Sequence, residues 1–296
     1  SVDGLDARFE SLVRLISDKT VHIYQSMPEF QHSNVFNQIG TRSFEKINNL
    51  IDVFGFIGEF VIVFLSVLKR PKTVSFNAIL SQLYESGAKA VPLVGLMSFL
   101  IGIVLSYQMG VQLKAYGANI FVVKVTGVAI LREFSPLITA IIMAGRTSTA
   151  FASMIGAMKV NEEIDALKTM GRNAIATLVF PRCCALVIAL PLLVVWSSIC
   201  AIAGSMFMSN IILDISYSSF MQSFPNMIGV NQYVLGMLKV PFFAVFITIV
   251  GCFQGLTTKM SAESVGQQTT KAAVQSIFLI IIIDAGFSIL YSVMGV

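Results

Sequence analysis

Residues 90–113 read AVPLVGLMSFLIGIVLSYQMGVQL, with no charged side chain between Lys89 and Lys114. A helix needs about 20 predominantly apolar residues to cross a bilayer, and this stretch is long enough. Four more stretches of the same kind follow it: residues 121–145, 183–206, 232–256 and 272–296. We therefore predict an all-α integral membrane protein with five transmembrane helices, of which the quoted stretch is the first.

The composition excludes several classes of protein. Hydrophobic residues make up 55% of the chain and charged residues only 12%, whereas an average soluble domain carries roughly 25% charge. The net charge of +4 is too small to indicate nucleic-acid binding. The four cysteines follow no metal-ligand spacing, and the Gly-Lys dipeptide of a P-loop does not occur. We expect no metal site, no ATP site and no enzymatic activity in this chain.

The N-terminal region differs from the rest. Residues 1–48 carry frequent charges, so we predict a soluble segment there, with one short amphipathic helix near residues 5–16. Residues 51–70 are apolar but contain Asp52 and Glu59 and end on a basic cluster. These charges favour an amphipathic helix at the membrane interface over a true span.

The distribution of Lys and Arg predicts the orientation. Eleven of these residues lie near span ends on one side of the membrane, and only Lys114 and Lys124 lie on the other. Because positive residues collect in cytoplasmic loops, the N-terminus and residues 146–182 are predicted to be cytoplasmic. With five spans, the C-terminus then lies outside.

One cytoplasmic stretch is predicted to be an amphipathic helix. Residues 148–171 combine an approximate apolar stripe with charged residues elsewhere on the surface, and Gly171 is typical of a helix C-cap. Two interpretations stay open here. The helix either docks on a cytoplasmic partner or lies on the lipid surface.

Four ionisable residues lie inside predicted spans: Arg132 and Glu133 in the second, Lys239 in the fourth and Asp284 in the fifth. Such groups are costly in a bilayer and face a bundle interior or a watery cavity. Adjacent residues of an α-helix point about 100° apart, so Arg132 and Glu133 are not expected to pair well with each other. Each then needs a partner from elsewhere.

The role of these charges has two interpretations. Arg132 and Glu133 form either a buried ion network that fixes helix packing or the polar lining of a substrate path. Lys239 and Asp284 have opposite charges, and a structural pair between them is favoured over direct use by a proton- or ion-coupled transporter.

Three motifs carry a specific resemblance. Residues 133–146 read EFSPLITAIIMAGR, residues 155–170 read IGAMKVNEEIDALKTM, and Pro181-Arg182 follows. Together with IGIVLSYQ at residues 101–108, they resemble the signature of the MlaE (YrbE) family, the permeases of Mla-type lipid ABC transporters. The resemblance implies a permease domain over residues 49–296. Some longer members carry a STAS-like domain before the permease, and residues 1–48 are compatible with the tail of one.

The resemblance implies a function and a set of partners. The chain would be a homodimeric, multi-pass permease of the bacterial inner membrane, with its C-terminus periplasmic. It would work with a cytoplasmic ABC ATPase that binds ATP and Mg²⁺, with a periplasmic MCE-domain protein and, in some systems, with a STAS-domain protein. It would move phospholipid to or from the outer membrane and so help to maintain the lipid asymmetry of that membrane.

The resemblance also implies functional residues by position. Those of the lipid pathway would be Gln108, Tyr116, Arg132, Glu133, Lys239 and Asp284. Those that couple to the ATPase, within a helix at residues 148–171 or just before it, would be Arg146, Lys159, Glu162, Glu163, Asp165 and Met170. The alternative is a secondary transporter coupled to ions or protons through Glu133, Lys239 and Asp284. Such a carrier predicts inverted internal repeats, and none is evident between the two halves of the sequence.

Overall fold

The computed structural model describes residues 51, 53–67 and 76–295. Within these ranges every regular element is helical and no strand occurs. The all-α class is therefore confirmed. The predictions for residues 1–48 lie outside the described residues.

The chain is a succession of helices, several of them joined end to end. The helices are α1 (Val53–Val67), α2 (Phe76–Ser86), α3 (Val91–Ala115), α4 (Phe121–Ala129), α5 (Ser135–Met143), α6 (Thr149–Val160), α7 (Glu163–Thr169), α8 (Phe180–Leu213), α9 (Tyr217–Met227), α10 (Val230–Leu238), α11 (Val240–Leu256) and α12 (Ala262–Val293). A 3₁₀ turn joins α2 to α3, and π-helical turns at Ile130–Phe134, Ala144–Ser148 and Ile175–Val179 interrupt the longer helices.

Five of the continuous helices are long and apolar enough to cross a membrane. They are Phe76–Ala115, Phe121–Val160, Ile175–Leu213, Val230–Leu256 and Ala262–Val293, each on one predicted span. The five-span prediction is confirmed. The helices extend beyond most predicted ends because helical hydrogen bonds also form in water, whereas hydropathy marks only the part that contacts lipid. The last helix begins ten residues before the predicted residue 272 and ends at Val293.

The helix α1 covers the described part of the predicted interfacial helix at residues 51–70. It runs from Val53 to Val67, which is shorter than the roughly 20 residues that a span needs. Its placement at the membrane interface stays a prediction. Residues 68–70 lie outside the described part.

The first and third spans pack against each other along their lengths. The Oγ atoms of Ser98 and Ser197 lie 2.7 Å apart, and those of Ser106 and Ser209 are equally close. Between these pairs, a Cβ atom added at Gly102 would lie 1.9 Å from the carbonyl oxygen of Ala201. Residue numbers rise together along the contact, so α3 and α8 run parallel, as spans that cross in the same direction must. Small residues thus let the two backbones touch.

Residues 148–171 do not form the single helix that was predicted. The helix α6 continues the second span through the π-helical turn Ala144–Ser148 and ends at Val160. Glu162 then adopts a left-handed conformation with φ of 60°, which stops the helical ladder before α7 begins. The predicted C-cap is confirmed, since Gly171 has φ of 73° and the Arg172 amide donates to the Leu167 carbonyl at 3.0 Å.

Candidate functional site

Four charged side chains from three spans meet around Lys239. Its Nζ atom lies 2.6 Å from Oε2 of Glu133 and 2.5 Å from Oδ1 of Asp284. The Nε atom of Arg132 lies 3.5 Å from Oε1 of Glu133. The structure therefore brings together four of the six predicted pathway residues, in the chain Arg132–Glu133–Lys239–Asp284. Their formal charges sum to zero.

A break in the fourth span positions Lys239. This residue lies between α10 and α11 and caps both helices. Pro241, which has no N–H to donate, follows it in the first turn of α11. One turn earlier, a Cβ atom added at Gly236 would lie 2.2 Å from the Leu131 carbonyl oxygen. This glycine lets α10 contact the backbone of the π-helical turn Ile130–Phe134. That turn carries Arg132 and Glu133.

Arg132 and Glu133 were not expected to pair well with each other, and the structure gives them only a loose ion contact. They lie in the π-helical turn Ile130–Phe134, whose wider coil reduces the angle between successive residues. Lys239 donates to Oε2 of Glu133, and the remaining oxygen lies 3.5 Å from Nε of Arg132, which is a salt-bridge contact without a hydrogen bond. Each residue also has the distant partner that was expected, because Nη1 of Arg132 donates to Oε1 of Gln232 at 3.2 Å.

Arg132 lies at the partly exposed edge of the cluster, beside Tyr291. Its guanidinium lies 5.5 Å from the centre of the Tyr291 ring, a cation–π arrangement, and the Tyr291 hydroxyl donates to the Leu235 carbonyl at 3.0 Å. The Arg132 side chain is 18% exposed and that of Glu133 is 30% exposed, whereas Lys239 is fully buried. The cluster is thus closed around Lys239 and partly open at Glu133 and Arg132. A planar guanidinium at such an edge has the geometry to bind a phosphate through two parallel hydrogen bonds.

The structure does not bring the remaining pathway candidates to this cluster. Gln108 is exposed on α3, and Tyr116 is 84% exposed directly after that helix. Conversely, Gln232 and Tyr291 contact Arg132 and were not predicted. A single amide and a single aromatic residue in apolar stretches carry no signal that would distinguish them in the sequence.

Two residues expected to couple to an ATPase, Arg146 and Lys159, contact helix ends in the structure. Arg146 donates from Nη2 to the Glu85 carbonyl and from Nη1 to the Ser86 carbonyl, both at 3.3 Å, and so caps α2. Lys159 donates to the Leu256 carbonyl at the end of α11. Helix C-termini leave carbonyls without intrahelical partners and attract positive charge, which explains both contacts.

The other coupling candidates lie at or on α7, on two different faces. Glu162 and Glu163 are exposed, and Met170 is 69% exposed just beyond the helix. Asp165 lies on another face, where its Oδ1 accepts a hydrogen bond from Lys168 at 3.1 Å. The exposed acids and Met170 form an outer face that is available for contact. We call Glu162, Glu163 and Met170 the outer face of α7.

Comparison with known proteins agrees with this architecture. A sequence model of the family described as permease MlaE matches residues 79–290. A probable ABC transporter permease of Rickettsia bellii is 29% identical over 249 residues, which is 84% of this chain and 94% of the relative. One of Synechocystis sp. is 32% identical over 233 residues, covering 79% of this chain and 87% of the relative.

A plant protein is also similar. The chloroplastic Arabidopsis thaliana protein TRIGALACTOSYLDIACYLGLYCEROL 1 is 33% identical over 222 residues, covering 75% of this chain and 63% of the relative. The family match covers the motifs, the charge cluster, the three central spans and nearly all of the first and fifth spans. This chain belongs to the MlaE permease family and is a multi-pass ABC transporter permease.

Proposed function

We propose that this chain is the permease subunit of an ATP-driven phospholipid transporter of the bacterial inner membrane. The observation that carries this proposal is the charge cluster, which is closed around Lys239 but partly open at Glu133 and Arg132. A lipid phosphate offers the bidentate anion that an arginine fork binds strongly. The family match and the diacylglycerol lipid in the name of the Arabidopsis relative support a lipid substrate.

A second copy of the chain would complete the lipid path. The fifth span is the most peripheral of the five, since only 11% of its most apolar window is buried, against 50% for the second, third and fourth spans. The first span is also exposed, with 28% of its window buried. A cavity between two copies would then place Arg132 of each copy near a shared lipid.

The partners follow from the proposed activity. A separate ATPase would supply the energy, binding ATP and Mg²⁺, and would contact the outer face of α7. An MCE-domain protein on the periplasmic side would receive or deliver the lipid, and lipid asymmetry of the outer membrane would depend on this exchange. The N-terminus would lie in the cytoplasm and the C-terminus in the periplasm.

Native mass spectrometry of the gently purified complex, with lipid extraction from the same sample, tests this assembly. We expect two copies of the chain, two ATPase subunits, an MCE oligomer and enriched phospholipid. A chain isolated without an ATPase and without enriched lipid would contradict the proposal.

One observation favours a second candidate. Lys239 bridges two carboxylates from different spans, and ion- or proton-coupled carriers use such arrays of Glu, Lys and Asp. In that case Glu133 and Asp284 would take up and release the coupling protons during transport. Transport driven by an imposed proton gradient without ATP, and lost in Asp284→Asn, would support this candidate.

A further inference from the structure

A cavity with a charged lining lies apart from the charge cluster, on the side predicted to be cytoplasmic. It has a volume of about 320 Å³ and lies between α1, α7 and the end of α11. This volume is within the range of small-molecule sites, about 300–1,000 Å³. Three cationic side chains line the cavity, namely Lys159, Lys168 and Arg172, and two carboxylates, Glu59 and Asp165. Its charged lining therefore has a net positive charge.

Both carboxylates of this cavity have partners. Glu59 accepts a hydrogen bond from Nδ2 of Asn173 at 3.1 Å, and Asp165 accepts one from Lys168 at the same distance. The Lys168–Asp165 pair is exposed, and such pairs are weak, so Lys168 can turn to a second anion at little cost. Arg172 is exposed beside it. An incoming anion would thus find two cations at the mouth of the cavity.

Apart from Asn173, the rest of the lining is apolar. Phe56 and Ile164 are buried in its wall. The helix α1, which contributes Phe56 and Glu59 to the lining, also exposes Ile62 (69%) and Leu65 (55%), side chains that prefer a hydrocarbon environment. An apolar helix surface beside a basic cavity matches a phospholipid, with the phosphate at the cations and the acyl chains along α1. Basic pockets on the cytoplasmic side of membrane helices bind anionic headgroups in this way.

This cavity and the outer face of α7 are on different sides of one short helix. Ile164, Asp165 and Lys168 line the cavity, at the spacing of one helical face. Glu163 lies on the opposite side, and Met170 continues that side beyond the helix end. A ligand in the cavity therefore leaves the outer face available to a protein partner.

We propose that this cavity binds the headgroup of an anionic phospholipid from the cytoplasmic leaflet, at a site separate from the transport path. The bound lipid would offset the net positive charge of the lining and fix α7 against α1. The inference goes beyond the proposed transport of lipid, because it concerns a lipid that stays bound while others move.

Native mass spectrometry of the full chain tests this site. The purified protein is titrated with phosphatidylglycerol and, separately, with phosphatidylcholine, which carries no net charge. We expect preferential binding of phosphatidylglycerol, and the double variant Lys168→Gln/Arg172→Gln should weaken it at least about tenfold. The control Lys259→Gln/Lys271→Gln removes the same charge from exposed cytoplasmic positions outside the cavity and should leave binding unchanged.

Several results would overturn the inference. Equal loss in both double variants would indicate general attraction by charge, and unchanged binding in the cavity variant would exclude the site. Equal competition by soluble glycerol 3-phosphate would assign the cavity to a free phosphate compound. If the cavity variant lost the ATPase partner but kept its lipid, the cavity would be assigned to a protein contact. The variant Arg132→Ala separates this site from the transport path. We expect it to retain phosphatidylglycerol binding at the cavity whether or not transport fails.

Discussion

The Nζ atom of Lys239 lies 2.5 Å from Oδ1 of Asp284, although the two residues are 45 positions apart and belong to different spans. Lys239 is fully buried and also binds Glu133. A buried ammonium in apolar surroundings is stable only when it is paired and hydrogen-bonded. Through these two contacts, Lys239 joins the second, fourth and fifth spans at one point.

Removal of Lys239 should destabilise the protein strongly. In Lys239→Met the carboxylates of Glu133 and Asp284 lose their shared cation, and breaking a buried pair by removing one partner costs about 3–5 kcal/mol. The midpoint of thermal unfolding in detergent measures this effect. The triple variant with Glu133→Gln and Asp284→Asn should recover much of the stability, and no recovery would contradict the ion-network explanation.

Replacement of Arg132 should affect transport more than folding. Hydrogen bonds to charged groups contribute about 1.5–3 kcal/mol, so Arg132→Ala should reduce lipid transfer by about tenfold to a hundredfold. Arg132→Lys keeps the charge but loses the planar fork and the stacking on Tyr291, so its activity should be intermediate. Transfer of labelled phospholipid between proteoliposomes and acceptor vesicles measures both variants. Equal loss of transfer and of complex assembly would show that Arg132 acts in packing alone.

The contact between the first and third spans should not tolerate a larger residue at Gly102. A Cβ atom there would lie 1.9 Å from the Ala201 carbonyl, so Gly102→Ala should cost about 1–3 kcal/mol or more and lower the yield of folded protein. Gly110 is the matched control on the same helix, because its added Cβ would meet only side-chain atoms, the nearest at 3.5 Å. Similar melting temperatures for the two alanine variants would be evidence against the close backbone contact.

The outer face of α7 should determine ATPase binding. Charge reversal at Glu163, combined with Met170→Glu, should release the ATPase while the permease stays folded, because both side chains are exposed. Co-purification and the elution volume of the permease measure the two effects. Lys168→Gln/Arg172→Gln, on the cavity face, should keep the ATPase. Retention of the ATPase by the outer-face variant would rule out this face as the docking site.

The five spans were predictable because each apolar stretch is long enough to cross a bilayer as a helix. The pairing of Lys239 with Asp284 was also foreseeable, since opposite charges at membrane depth require partners. The loose contact of 3.5 Å between Arg132 and Glu133 agrees with the expectation of a poor pair, whereas the π-helical turn that holds both residues has no sequence signature that periodicity could detect. The capping roles of Arg146 and Lys159 depend on carbonyls 60 to 97 residues away, and only the packed fold brings those groups together.

The break at Glu162 escaped prediction for a different reason. A left-handed conformation at a glutamate is uncommon, and the apolar stripe continues past it at nearly the same spacing. Binary patterning therefore indicated one helix where the chain forms two.

ATP-dependent transfer of labelled phospholipid by the reconstituted complex, with the proton gradient collapsed by an ionophore, is the most direct measurement of the proposed function. We expect transfer to require ATP, to persist without the gradient and to fall in Arg132→Ala. Transfer that needs the gradient, proceeds without ATP and stops in Asp284→Asn would contradict the assignment and favour an ion-coupled carrier.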